Sequence, residues 1–401
     1  MMRSPFSATL FFRDPEAFAA RLNGDEPITR FQAGRTRFAL VRDPEAIWNV
    51  LVDEAESFRV GQWKQRSRRV LWDALNTLDG ETHRERRRLI GPALDGGRVA
   101  ERSGWIAARA ERMQAGWTDG AVIVAREHFQ RLSLCAAGEL LFSSDLEAEA
   151  PELAAALTCV DAALPRRLPP HVVPRRRSAL RRVRQAVTQL VEERRRDPGQ
   201  HDDLLSALLG AGLPLSTIRG EVLTMLNAAV AEPPRALEAA WYFLAQSAAA
   251  ERRLHDELRG STSRQDRLPY LQAVVKETLR LQPPVRHIDR FARQNAVLAN
   301  QRFGRRESVI VSPVVTHRDR VRYPDPEVFR PERWLASERS SPMRGAYLPF
   351  GAGHHACIGA ALGRTIITIT LATVARDWRL RLVSRAADPR REPLRFTPVR
   401  W

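Results

Sequence analysis

Lysine is nearly missing from this chain: Lys64 and Lys276 are the only two, so the net charge of +17 is carried by arginine. A GC-rich genome produces that bias unaided, so charge alone says little about partners. Cysteine is scarce as well, and Cys135, Cys159 and Cys357 are odd in number and widely spaced. This argues against a disulfide framework or a thiol zinc site and leaves a cysteine free for chemistry. No apolar run reaches the roughly 18 to 20 residues that cross a bilayer, and the opening "MMRSPFSATLFFRDPEAF" is too short and too soon charged for a signal peptide. A cytoplasmic protein without a membrane span is expected. Aromatic residues are absent from the densest basic run, "PRRLPPHVVPRRRSALRRVRQ" (165–185). A nucleic-acid binder interleaves them for stacking, so no nucleic-acid partner is expected.

What is present is a globular composition, 44% hydrophobic and 28% charged, in 401 residues that suit one large core. Apolar residues at helical spacing predict helices over roughly 43–51, 81–94, 102–114, 127–142, 151–163, 178–195, 203–209, 216–246, 248–258 and 268–281. Alternation predicts two strands over 28–41, and weaker β signals follow at 297–313 and near "WRLRLV". The sequence holds no internal repeat and no clear linker. The expectation is a single domain over 1–401, mainly α with a small β region.

The most informative stretch is "LPFGAGHHACIGAALGRTIITITLATVARDW". Cys357 follows a glycine-bearing loop and precedes a periodic helix, so it sits near a helix N-terminus, where amide N–H groups favour a thiolate. Gly351, Gly353 and Gly359 let the backbone approach something bulky and flat. A lone cysteine is otherwise most simply a small buried hydrophobe.

Its neighbours tip the balance. The segment resembles the haem-binding loop of the cytochrome P450 family: Phe350, Gly353, His355, Cys357 and Gly359 fill each place of a ten-residue pattern. Three further motifs stand in the family's order. "KETLR" supplies Glu277 and Arg280 on one helix face, "FRPERW" supplies Arg333, and "GETHRERRRLIGPAL" supplies His83 and Arg87, four apart. The resemblance implies the P450 fold, haem b as cofactor, Cys357 as the iron ligand, and Phe350, Gly351, His355 and Gly359 in the haem loop. It further implies a salt-bridged network of Glu277, Arg280 and Arg333, and haem-propionate partners in His83, Arg87 and Arg290, with His287 less certain. The implied activity is monooxygenation of an apolar or polycyclic small molecule in secondary metabolism.

The departure from the family lies in "AVAEPP". The family's distal helix pairs an acid with an alcohol that together relay protons. Glu232 keeps the acid, but Pro233 stands where the alcohol belongs, and 225–246 contains no Ser or Thr. Pro233 and Pro234 lack N–H groups, so the carbonyls of Ala229 and Val230 lose their i+4 donors, and each proline costs about 3 kcal/mol in a regular helix. A break or marked kink at 229–234 is therefore expected, with the freed carbonyls lining the oxygen or substrate groove. Two consequences compete. Either Glu232, the carbonyls, water or a substrate hydroxyl rebuild the relay, or the enzyme uses peroxide or another oxidative chemistry such as coupling. A haem-containing recruitment module without turnover is the rival of another class, against which retention of Cys357, Glu277, Arg280 and Arg333 argues.

No fused reductase is expected, so ferredoxin and ferredoxin reductase are the expected electron donors to a monomer. Arg84, Arg86 and Arg88 are candidate contributors to an acidic ferredoxin's docking face. Residues 59–75 and 157–173 are expected to set substrate specificity, and the basic run at 166–184 to lie near the roof of the substrate site.

Overall fold

The computed structural model describes residues 10–12, 14–20, 26–33, 36–61, 72–162, 173–261, 268–293, 296–304, 307–335, 344–384 and 393–401. Ten helices carry the architecture: α1 Gly80–Ile90, α2 Ser103–Ala115, α3 Ala125–Phe142, α4 Ala150–Ala162, α5 Val173–Arg196, α6 Leu204–Gly210, α7 Leu215–Gln246, α8 Ala248–Gly260, α9 Pro269–Leu281 and α10 Ala360–Asp377. Among the described residues, no helix is long and apolar enough to cross a membrane.

α7 is the axis of the molecule. It packs most extensively against α3 and also touches α10, α4, α5 and α9. Its first half buries Val222, Leu226 and Val230 in a cluster with Leu134 of α3, Leu157 of α4 and Val187 of α5. Its second half buries Leu237 and Trp241 against Val274 of α9 and Leu371 of α10. Apolar residues recur on several sides of α7 because helices cover it on several sides.

The β part is small. Strands β1 (Ile28–Ala33), β2 (Thr36–Val41), β3 (Phe58–Val60), β5 (Ile288–Ala292) and β8 (Ser308–Val311) form one sheet in the order β1-β2-β8-β5-β3. Only β2 and β8 run parallel, with Val41 opposite Val311. β4 (Ile123–Val124), β10 (Arg395–Arg400) and β9 (Trp378–Leu382) form a second sheet, and β6 (Ala296–Leu298) pairs with β7 (Gln301–Phe303). The β1–β2 hairpin and β9 fall where alternation places them. The sequence reading missed β3, β4, β5 and β10.

The expected break at the double proline does not occur: the helical backbone of α7 continues through Pro233 and Pro234. The reason lies in the neighbouring helix. Ser133 Oγ donates to the Ala229 carbonyl at 2.7 Å, and Gln130 Nε2 donates to the Val230 carbonyl at 3.4 Å. Side chains of α3 thus replace the two missing backbone donors, which offsets much of what each proline costs. The freed carbonyls therefore face α3 and do not stand open as groove lining.

Candidate active site

Cys357 lies two residues ahead of Gly359, which caps α10. Its backbone N–H donates to the Phe350 carbonyl at 2.8 Å, closing the loop on itself. Gly351 and Gly353 have φ of +69° and +70°, a region that suits glycine. At Gly353 a Cβ would lie 1.9 Å from the Leu51 carbonyl oxygen, so this loop rests directly on backbone. The Phe350 ring packs on Gly363 of α10, and the Arg364 guanidinium lies 5.6 Å from its centre. These contacts leave Cys357 exposed at the mouth of an 18-residue helix, where the dipole favours an anion.

α1 docks on this loop. Arg87 donates to the carbonyl of Ala356 at 2.8 Å, and the His83 ring lies tilted by 35° against the His355 ring at 4.0 Å between centroids. Their spacing of four puts both on one helix face. Burial, helped by the charges of His355 and Arg87, depresses the His83 pKa to about 4, which leaves its imidazole neutral at physiological pH. Burial also lowers the Arg87 pKa, with the charge of Cys357 opposing the shift.

Asp79, unnoticed in the sequence, joins these pieces. It precedes α1 in the N-cap position, yet its carboxylate accepts from the Val60 N–H at 2.9 Å and lies 3.3 Å from His355 Nε2. Burial pushes its pKa up, but the hydrogen bonds from His355 and Val60 outweigh that and hold it low. An acid directly before a predicted helix was the available signal, and capping was the obvious misreading of it. Val60 pairs with Arg290 across β3 and β5. Arg290 is buried, donates to the Asp289 carbonyl at 3.0 Å, and has no ion pair among the described residues. His287 lies elsewhere, edge-on to Phe11 and Phe12.

This arrangement suits haem. An exposed thiol faces the loop mouth, and a flat-approach glycine, Gly359, would bring a Cβ only to 4.0 Å from its sulfur. A buried guanidinium without a carboxylate partner is costly unless an anion from elsewhere meets it, and propionates are such anions.

Behind the loop, Glu277 organises a closed network. Arg280 grips both its oxygens at 2.9 and 2.8 Å, Arg333 Nε donates at 2.9 Å, Trp334 Nε1 at 2.8 Å and the Arg330 N–H at 3.0 Å. Glu277 and Arg280 are wholly buried. Burial raises the Glu277 pKa, but Arg280 and Arg333 bring it below its ordinary value, so the ion is kept. Arg280 also donates to the carbonyls of His317 and Pro326, fixing the segment that leads to the loop.

On the distal side, Glu232 stands on α7. Its side chain is 37% exposed, yet Oε2 is enclosed and without a partner among the described residues, and Arg235 lies 3.8 Å from Oε1. Burial raises the Glu232 pKa, Arg235 opposing. Arg235 itself donates to Asp161 of α4 at 2.8 Å. Ala228, one turn earlier, is exposed although the next three residues of α7, Ala229, Val230 and Ala231, are buried.

The arginines assigned to a docking face behave differently. Arg86 is nearly buried and binds Glu221 of α7 at 2.7 Å, so it is not available to a partner. Arg84 pairs with Glu81 and Glu56, and Arg88 with Glu81. The local positive charge is thus largely neutralised. Residues 62–71 and 163–172, within the expected specificity segments and the basic roof, lie outside the described residues.

A family model described as Cytochrome P450 matches residues 15–397. The chain is 31% identical over 400 residues to cyclooctatin synthase of Streptomyces melanosporofaciens, covering 93% of this chain and 87% of that protein. It is also 31% identical over 397 residues to cyclooctat-9-en-7-ol 5-monooxygenase of the same organism, covering 93% and 86%. The fold superposes on retinoic acid bound cyanobacterial CYP120A1 with a TM-score of 0.86 at 22% identity, covering 98% of this chain and 96% of that one. This chain belongs to the cytochrome P450 family, whose haem-thiolate chemistry makes it an oxidoreductase.

Proposed function

We propose that the protein is a monooxygenase of secondary metabolism that inserts oxygen into an apolar or polycyclic small molecule, with haem b held by Cys357. The carrying observation is the exposed Cys357 thiol at the mouth of α10, on a loop that α1 holds through Arg87 on the Ala356 carbonyl and His83 against His355. The substrate class is supported by a relative whose name describes a cyclic unsaturated alcohol oxidised at a second position. We place it in the cytoplasm as a monomer of one domain, receiving electrons from a ferredoxin and its reductase.

Haem bound through a thiolate supplies the oxidising power, since the sulfur pushes electron density toward iron. The chain supplies position and protons. Arg87, Arg290 and His83 would hold the propionates, while Phe350, Gly351 and Gly359 would shape the sulfur side. Burial keeps a proton on Glu232 at higher pH than on a free carboxyl, which makes it the proton-holding group of the distal helix.

A second reading, a peroxide-using enzyme, rests on Pro233 in place of the alcohol. Two measurements decide. The reduced protein with carbon monoxide should show a thiolate-type Soret band that Cys357→Ala abolishes; its persistence in that variant overturns the ligand assignment. Product should form with ferredoxin, reductase and NAD(P)H; efficient turnover with peroxide alone would favour the second reading.

A further inference from the structure

Around the double proline, three helices share one polar network. Ser133 sits wholly buried inside α3, where its hydroxyl could bond back to its own helix. It instead crosses to the Ala229 carbonyl, the one that Pro233 leaves without a donor. Gln130, one turn earlier on the same face, has two amide hydrogens. One goes to the Val230 carbonyl, and the other reaches Thr158 Oγ1 of α4 at 3.0 Å. Three residues on along α4, Asp161 holds Arg235, and Arg235 is the cation beside Glu232. The proline turn and the acid within it are thus held from two sides, by α3 at the carbonyls and by α4 at Arg235.

We propose that Ser133 and Gln130 are positioning residues for Glu232: they replace the missing donors of Pro233 and Pro234 and, through Thr158, tie that turn to α4, so that α3 and α4 together set where the Glu232 carboxyl points. The proposal rests on the assignment of Glu232 as the proton-holding group. Without these donors, two unpaired carbonyls and the proline rings would open the turn that carries Glu232, because a helix with unsatisfied interior carbonyls bends or admits water. Ser133 is the stronger of the two, since its hydrogen bond is short and wholly buried. Gln130 is the link between helices, since its amide donates both to Thr158 of α4 and to the Val230 carbonyl of α7.

The test uses the haem-loaded enzyme and two readouts. Hydrogen exchange of the amides of Ala231, Glu232 and 235–237 should quicken by about tenfold in Ser133→Ala and remain as in the parent in Ser133→Thr, which keeps the hydroxyl. Thr158→Val exchanges the hydroxyl of an exposed residue on α4 for a methyl and removes the acceptor of the Gln130 amide, so the variant should fold. With NAD(P)H and a surrogate ferredoxin and reductase, it should still send a larger share of electrons to hydrogen peroxide, about twofold or more, at an unchanged carbon monoxide spectrum. Unchanged exchange in Ser133→Ala, equal behaviour of Ser133→Thr and Ser133→Ala, or an unchanged peroxide share in Thr158→Val each overturns the proposal. The exchange measurement needs no turnover, so it decides on the clamp even if the parent protein lacks a thiolate-type band and the haem reading itself fails.

Discussion

Arg86 Nη1 lies 2.7 Å from a carboxylate oxygen of Glu221, which is wholly buried in α7. The same carboxylate accepts the Leu75 N–H at 2.9 and 3.0 Å. One acid therefore fastens α1 and residues 74–77 to the first half of α7. Burial raises the Glu221 pKa, with Leu75 and Arg86 opposing. Beside it, Gly220 has no room for a side chain, because a Cβ would lie 2.6 Å from the Asp73 carbonyl.

Arg86→Leu should accordingly destabilise the protein by about 3 kcal/mol, since it strands a buried carboxylate. Denaturant unfolding measures the loss. Association with ferredoxin should keep the salt dependence of the parent, and a flatter dependence in this variant would return Arg86 to a docking role.

Glu277→Ala should be among the most damaging single changes. It leaves Arg280, wholly buried, without its carboxylate, and Arg333 Nε, Trp334 Nε1 and the Arg330 amide without that acceptor. A cost of about 4 kcal/mol or failure to fold is expected. A soluble variant with parental melting temperature and haem content would contradict it.

Gly353→Ala and Gly351→Ala should differ although both glycines have positive φ. At Gly351 the nearest atom to an added Cβ is 3.6 Å away, so only backbone strain of about 1 to 2 kcal/mol arises. At Gly353 the Cβ meets the Leu51 carbonyl oxygen, and the loop has to shift. Haem content after purification should fall sharply for Gly353→Ala and little for Gly351→Ala.

Pro233→Thr should restore a backbone donor to the Ala229 carbonyl, which can accept a second hydrogen bond beside that of Ser133. Stability should rise by about 1 kcal/mol, short of the full proline penalty because Ser133 already satisfies that carbonyl. The restored hydroxyl should also lower the share of NAD(P)H electrons lost as hydrogen peroxide. A higher loss would show that this enzyme's relay depends on the proline.

His317 predicts a pH dependence. It is wholly buried, its Nε2 accepts the Leu348 N–H at 2.8 Å, and its Nδ1 lies 3.2 Å from the Arg280 carbonyl, so Nδ1 carries the hydrogen. Burial depresses its pKa to about 3 from an ordinary 6.5. Below 6.5 the unfolded chain binds a proton that the folded one refuses, so the parent loses stability on acidification. His317→Asn lacks that term. The stability gap between parent and variant should narrow by about 1.4 kcal/mol per pH unit below pH 6. A gap constant over that range would show that His317 is protonated in the fold.

The sequence by itself determined the helices, the β1–β2 hairpin and the family, because apolar periodicity and the Cys357 and Glu277 motifs are local patterns that neighbours in the chain express. It also announced that Pro233 removes an alcohol and that two carbonyls go without helix donors. Only the tertiary structure decided what becomes of them. Ser133 and Gln130 stand about a hundred residues earlier, and polar residues inside a predicted helix give no sign of which distant carbonyl they will meet. Arg86 read as a surface charge for the same reason, since Glu221 reaches it only after α1 and α7 pack. Asp79 likewise became an anchor for His355 and the Val60 amide through contacts that span the fold. Local order follows from nearby residues, but the partner of a buried polar group is set by packing, and no spacing in the chain encodes it.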